Sequence, residues 1–423
     1  MSNSILIKNI HAVDVGVDKI SDIFIDGGKI VEIASEINRT ADTIIDGSGL
    51  VAIPSLFDMH VHFRDPGYTY KEDILTGANS ALAGGFTGVA CMPNTNPTID
   101  NAETVKYIID KAKDTGVEVY PVGCITSGMN GDELCDFDML KEAGVVAVSD
   151  DGRPVKNAEL MRQALEKSNK NKLLVISHCE DLDIIGNGIM NKGFISEQLG
   201  VEGMDRASED SITAREIALA NAVKSRIHIA HVSTEGSVEF IKSAKEMGVK
   251  VSCETCPHYF MLTHKKLLSK DADYRMNPPL REENDMEAIY TAILDDTIDC
   301  IVTDHAPHSK EDKADFMTAP NGVVGLETSL SATLTAFYHT GMLSLDRIVE
   351  LMSINPRRLL GLPTVKLKEG CKANIAIVDL DREWTVEPEK LVSKSKNTVF
   401  KGMKLKGKPV ATISEGKLVY SIL

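Results

Sequence analysis

Eight short apolar runs, each followed by a stretch of helical character, succeed one another through the middle of the chain. They cover residues 50–59, 86–92, 117–125, 145–148, 173–177, 227–232, 249–253 and 300–303. Runs of this length with little alternation read as strands buried on both faces. Strands that alternate with helices pair in parallel, because each helix carries the chain back across the sheet before the next strand begins. Eight such units spread over roughly 300 residues predict an α/β fold, a (β/α)8 barrel spanning 55–365. A barrel of this kind places its chemistry at the C-terminal ends of the strands, so reactive residues should gather just after the runs.

The two ends of the chain have a different texture. Residues 5–7, 22–25, 29–33 and 43–45 are strand-like, with Asp26-Gly27-Gly28 as a hairpin turn. Residues 373–378, 411–413 and 418–420 repeat that character, with Glu415-Gly416 as a turn. Neither end suffices for a stable sheet of its own, so 1–54 and 366–423 are expected to pair into one small composite β-sandwich.

Composition narrows the partners. A net charge of −16 over 423 residues argues against nucleic acid and anionic membrane. The first ten residues lack the basic start and apolar run of an export signal, and no run of about 18 apolar residues occurs. The eight cysteines are scattered, most inside apolar runs, which reads as reduced thiols in a cytoplasmic protein.

Histidine and aspartate do recur just after the strand runs. His60 and His62, two apart, point to one side of an extended strand, where two imidazoles grip one metal ion. Run 4 ends in Ser149-Asp150-Asp151-Gly152, run 5 in Ser177-His178-Cys179-Glu180 and run 6 in Ala230-His231-Val232-Ser233. Run 8 ends in Thr303-Asp304-His305-Ala306-Pro307-His308. Nitrogen and oxygen ligands converging on one rim suit divalent zinc, with a carboxylate bridging two ions. Cys253-Glu254-Thr255-Cys256 has CxxC spacing but no second pair, and it is read as structural. His258 is read as a structural imidazole near the rim, His305 as pointing away from Asp304, and His11, His228, His264 and His339 as solvated or core residues.

Four segments together resemble the signatures of the dihydroorotase family of the amidohydrolase superfamily. They are Asp58-Met59-His60-Val61-His62-Phe63-Arg64-Asp65-Pro66-Gly67, Cys91-Met92-Pro93-Asn94-Thr95, Arg275-Met276-Asn277-Pro278-Pro279-Leu280-Arg281 and Asp304-His305-Ala306-Pro307-His308. The resemblance implies a zinc-dependent cyclic amidohydrolase that interconverts N-carbamoyl-L-aspartate and L-dihydroorotate in pyrimidine biosynthesis. It implies two zinc ions, one held by His60, His62 and Asp304 and the other by His178 and His231. Many relatives bridge the ions with a carboxylated lysine, but here Lys141 and Lys156 lie outside the rim. The bridge is therefore expected from an aspartate, Asp151 before its rival Asp150.

On that reading a metal-activated hydroxide attacks the ring amide, and Asp304 shuttles its proton to the leaving nitrogen. The substrate carboxylate would meet Arg64 through two parallel hydrogen bonds, with His62, Asn94 and His308 assisting. Asn277 would read the ring amide edge. The polar stretch 309–322 is expected to be a mobile lid, with the backbone of Gly322 and Val323 touching substrate. A homodimer is the family expectation, and assembly with an aspartate transcarbamoylase is compatible with it. Hydantoinases, dihydropyrimidinases and allantoinases share rim and barrel, but their rings lack the carboxylate that Arg64 would bind. A non-catalytic assembly subunit would keep the barrel and lose ligands, whereas every expected ligand is present here.

Overall fold

The protein is described here over residues 4–423 by a computed structural model. The first strands are β1 (Ile5–Asp14), β2 (Val17–Asp26), β3 (Lys29–Ala34), β4 (Thr43–Asp46) and β5 (Val51–Pro54). Then come β6 (Leu56–Val61), β7 (Phe86–Cys91), β8 (Glu118–Gly123), β9 (Ala147–Val148) and β10 (Leu174–Ser177). A short two-stranded ladder, β11 (Met190–Asn191) and β12 (Gly203–Met204), interrupts the series. The chain continues with β13 (Ile227–Ile229), β14 (Val251–Thr255) and β15 (Cys300–Ile301). It ends with β16 (Ile375–Thr385), β17 (Lys404–Ser414) and β18 (Lys417–Ser421).

Eight strands pair in the order β6-β7-β8-β9-β10-β13-β14-β15, all parallel. The two ends of that row meet just beyond the strands. Val61 pairs in parallel with His305, His62 N donates to His305 O at 2.8 Å, and Thr303 N donates to Asp58 Oδ2 at 3.1 Å. This is the expected (β/α)8 barrel, and its interior is a continuous apolar core.

Both ends of the chain enter one separate eight-stranded sheet, ordered β18-β17-β16-β5-β1-β2-β3 with β4 beside β1. The sheet rolls up around its own core of Ile5, Ile7, Ile23, Ile25, Ile375 and Ile413, among others. The β2–β3 hairpin meets the start of β16, where Ile30 N donates to Cys371 O and Ala373 N to Gly28 O. Gly28 sits at φ 79°, and a Cβ there would come within 3.1 Å of Glu415 O, so the contact needs glycine.

One expected strand proves to be two. The run 50–59 divides at Ser55, with β5 joining the terminal sheet and β6 opening the barrel. Ser55 is held at the break by Asn374 O on its N–H and by Ser353 Oγ on its carbonyl. Both halves are fully buried, and Pro54-Ser55 marks the point where the partners change. No helix among the described residues is long and apolar enough to cross a membrane. The cysteines are all free thiols.

Candidate metal centre and active site

His60, His62, Asp151, His178, His231 and Asp304 arrive from the ends of five different strands and converge at one mouth of the barrel. All six are buried. Asp151 is the hub. Its Oδ1 lies 3.4 Å from His60 Nε2 and 3.6 Å from both His178 Nδ1 and His231 Nε2, and its Oδ2 lies 3.4 Å from His62 Nε2. Asp304 Oδ1 is 3.1 Å from His62 Nε2 and 3.7 Å from His60 Nε2. Ligand atoms of His60, His62 and Asp151, one from each, lie within 4.8 Å of one another, and so do those of Asp151, His178 and His231. The two groups share Asp151, the arrangement a carboxylate bridge requires.

The buried atoms His60 Nε2 and Asp151 Oδ1 have no hydrogen-bond partner. An unpaired buried polar atom costs about 1–3 kcal/mol, so two of them aimed at one space are accounted for by a cation that accepts their lone pairs. Imidazole nitrogen and carboxylate oxygen are the donors that suit such an ion. The backbone supports the same conclusion: Arg64 (φ 60°), His231 (φ 33°) and Asp304 (φ 48°) all adopt left-handed conformations. Each costs about 1–3 kcal/mol for a side-chain-bearing residue, and such strain concentrates where side chains must be aimed.

The choice between the two aspartates follows from their neighbours. Asp150 turns away from the centre and accepts from the N–H groups of Ile125 (2.8 Å) and Thr126 (3.1 Å) and from the Thr126 hydroxyl. That leaves Asp151 alone between the histidines.

Two further carboxylates orient the imidazoles. Glu254, in β14 and fully buried, places Oε1 2.6 Å from His60 Nδ1 and Oε2 3.1 Å from His228 Nε2. Burial pushes its carboxyl up, but the two imidazoles outweigh burial and hold it near 2. A charged carboxylate on Nδ1 keeps the His60 proton there and leaves Nε2 bare toward Asp151. Glu180 stands in the same relation to His178, with Oε2 3.3 Å from Nε2, while its Oε1 accepts from Asn277 Nδ2 at 2.8 Å. Glu254→Gln is expected to weaken metal retention about 10–100-fold. Chelator competition followed by metal analysis checks this, and unchanged retention would reduce Glu254 to a packing residue.

The residues expected around substrate line one side of this centre. Asn94 Oδ1 accepts from His62 Nδ1 at 2.8 Å. Arg64 Nε donates to Pro307 O at 3.2 Å, and its Nη2 lies 3.4 Å from His308 Nε2. Asp65 takes no part, being tied to Lys111 and Tyr107. His308 Nε2 donates to Asn321 O at 2.9 Å, and beside it Gly322 leaves no room for a side chain, since a Cβ would come within 2.8 Å of that same nitrogen. Val323 O accepts from Ala306 N at 2.7 Å.

Comparison with known proteins bears on this geometry directly. A family profile described as Dihydro-orotase-like matches residues 49–237. The dihydroorotase of Trichlorobacter lovleyi is 49% identical over 423 residues, 99% of each chain. That of Citrifermentans bemidjiense is 50% identical over 422 residues, again 99% of each. The chain belongs to the dihydroorotase family. Among solved structures it resembles an L-hydantoinase (dihydropyrimidinase) from Arthrobacter aurescens, with TM-score 0.89 at 25% identity, over 100% of this chain and 96% of that one. A dihydropyrimidinase from Brevibacillus agri superposes with TM-score 0.87 at 23% identity, covering 99% and 95%.

As a dihydroorotase-family barrel the chain also contains residues that strand-end reasoning passes over. Glu254 lies between the two cysteines of the CxxC segment. Burial pushes both thiols up, and Cys253 Sγ faces Thr297 O at 3.2 Å, so it is the acidic residue and not the thiols that serves the centre. The signal was a glutamate directly after run 7, between two cysteines, a placement that water-free burial permits only with a partner. His228 is a core residue behind it, and His305 faces Gly325 N and Glu72, away from Asp304. His258 is buried, and burial pushes it down to about 4.

The stretch 309–322 is anchored, in contrast to the mobile lid expected. Lys313 Nζ donates to the carbonyls of Ala272 (3.1 Å), Arg275 (3.0 Å) and Pro320 (2.8 Å), and Arg275 Nη1 returns a bond to Phe316 O at 2.7 Å. Polar composition reads as solvated loop, but here the lysine's three donors are engaged inside the protein.

Proposed function

We propose that this protein catalyses the reversible closure of N-carbamoyl-L-aspartate to L-dihydroorotate and water, with two zinc ions bridged by Asp151. The observation that carries the reading is the position of Asp151 between His60/His62 and His178/His231, with Asp304 against His62 and Arg64 alongside. Divalent ions held there supply a Lewis acid for the amide carbonyl and bring the pKa of water toward about 7.

The chain's own residues supply the rest. In the hydrolytic direction Asp304 takes the proton from the attacking water and delivers it to the ring nitrogen as the C–N bond breaks. In the synthetic direction it removes that proton from the carbamoyl nitrogen. Arg64 binds the substrate carboxylate with two parallel hydrogen bonds and fixes the ring in register. Asn94 and His308 complete that corner, and Asn277, held by Glu180, faces the ring amide together with the backbone at Gly322 and Val323. The eight free thiols fit a reducing compartment, and we place the enzyme in the cytoplasm.

The test is an ultraviolet assay of dihydroorotate loss on the metal-loaded protein, with and without a chelator. Activity abolished by the chelator and restored by zinc is the expected result; turnover indifferent to the chelator overturns it. Arg64→Met separates this substrate from its relatives. It is expected to lower kcat/KM for dihydroorotate about 10²-fold, the worth of a charged hydrogen-bond pair, and to leave any hydantoin or dihydrouracil hydrolysis unchanged. Intact dihydroorotate turnover in that variant would remove the carboxylate clamp.

A further inference from the structure

Lys71 follows β6 at the end of the same rim segment that carries Arg64. Its Nζ lies 3.1 Å from His308 Nδ1 and 3.4 Å from Asp312 Oδ2. The side chain is 14% exposed and runs past the rings of Tyr68 and Tyr70, 5.8 and 5.5 Å from their centroids. Its backbone is fixed on both sides, the N–H by Tyr68 O at 2.9 Å and the carbonyl by Ser395 Oγ at 2.6 Å. A long, flexible side chain is thus delivered to one ring nitrogen.

An ammonium has donors and no acceptor. Where Lys71 donates to Nδ1, that nitrogen must be the bare one, and the neutral ring then carries its proton on Nε2. The carbonyl on the far side of the ring agrees. Nε2 faces Asn321 O, an acceptor, at 2.9 Å. Arg64 Nη2, itself only a donor, lies 3.4 Å from Nε2; with the ring proton taken by Asn321 O, the guanidinium keeps its Nη groups for another acceptor. A guanidinium beside that ring, backed by a lysine, makes a corner that one carboxylate satisfies. Burial and the charges of Arg64, Lys313 and Lys71 push the His308 pKa down against the hydrogen bond to Asn321 O, which keeps the ring neutral and its tautomer meaningful; Asp312 stands 3.8 Å from Nδ1.

We infer that Lys71 is a positioning residue of the carboxylate corner: it holds His308 in the tautomer with its proton on Nε2 and adds a second fixed cation behind Arg64, so that the site favours ring substrates bearing a carboxylate over those without one. The inference rests on the proposed role of Arg64 and His308 toward substrate. Lys71 touches neither the metal ligands nor Asp304, so its removal acts on binding of the anionic group and leaves the reacting atoms alone.

Nitrogen NMR of the metal-loaded protein labelled at histidine, with the His308 ring identified by its loss in His308→Gln, reads the tautomer in the wild type without any change at Lys71. A bare Nδ1 and a protonated Nε2 are expected; a proton on Nδ1 overturns the inference. Lys71→Met is expected to mix the two ring signals and to raise KM for dihydroorotate about tenfold with kcat nearly unchanged. Lys71→Arg, which keeps a donor and a charge, is expected to restore both. A Lys71→Met variant that leaves the ring signals and KM as in the wild type overturns the inference, as does one that lowers kcat and leaves KM unchanged. Should the wild type fail to turn over dihydroorotate at all, the activity reading falls, while the ring signals still decide what Lys71 does to His308.

Discussion

Asp304→Asn is expected to lower dihydroorotate turnover by about 10³-fold while leaving most of the bound metal in place. General acid–base transfer by a positioned carboxylate contributes on the order of 10²–10⁴, and an amide oxygen cannot take up the proton that Asp304 has to carry. The substitution otherwise disturbs little. The side chain keeps its size and an oxygen able to sit 3.1 Å from His62 Nε2, and asparagine tolerates the left-handed backbone at φ 48° better than almost any other residue. Absorbance at fixed dihydroorotate, followed beside metal analysis of the same sample, separates the outcomes. Turnover near the wild-type rate would move the shuttle to another residue. Loss of turnover with loss of metal in step would make Asp304 a ligand and nothing more.

That Asp304 stands out from sequence alone is a consequence of barrel geometry. Parallel strands all deliver their C-terminal ends to one rim, so residues placed just after successive apolar runs must meet, however far apart they are in the chain. His60, His62, Asp151, His178, His231 and Asp304 were legible for that reason. What escaped turns on contacts and not on place along the chain. Glu254 follows run 7 directly, but it meets the far nitrogen of His60, Nδ1, and not the shared space of the ligands. Glu180 and Lys71 act on ring nitrogens of His178 and His308, contacts that no spacing encodes. The anchoring of 309–322 depends on carbonyls of Ala272 and Arg275, about 40 residues upstream of the lysine that binds them. The change of sheet at Ser55 falls where 1–54 was set apart from 55–365, although the run 50–59 reads as one strand because both halves are buried throughout. Asp150 and Asp151 are adjacent and chemically identical. Only the amides of Ile125 and Thr126, arriving from the neighbouring strand's loop, tell them apart.

Because those two aspartates differ in nothing but direction, paired substitutions give the strongest test of the centre. Asp151→Ala removes the one carboxylate within 3.4–3.6 Å of all four histidines. One group keeps His60 and His62 with Asp304, and the other keeps only His178 and His231. A pair of imidazoles without an anion falls short of the three or four ligands that hold a divalent ion, and nothing then offsets repulsion between two cations. The expected result is less than one ion per chain and dihydroorotate turnover down by at least about 10³-fold, since both the Lewis acid and the activated water depend on the ions. Asp150→Ala makes the opposite prediction. It strips acceptors from the N–H groups of Ile125 and Thr126, costing about 1–3 kcal/mol of stability for each buried donor left unpaired. Its metal content should stay near that of the wild type. Metal analysis and thermal unfolding on the two variants distinguish these directly. If Asp150→Ala empties the centre and Asp151→Ala does not, the bridge has been assigned to the wrong residue. If both stay fully loaded, the histidines hold their ions without any carboxylate between them, and the basis for a bridged pair at this rim is gone.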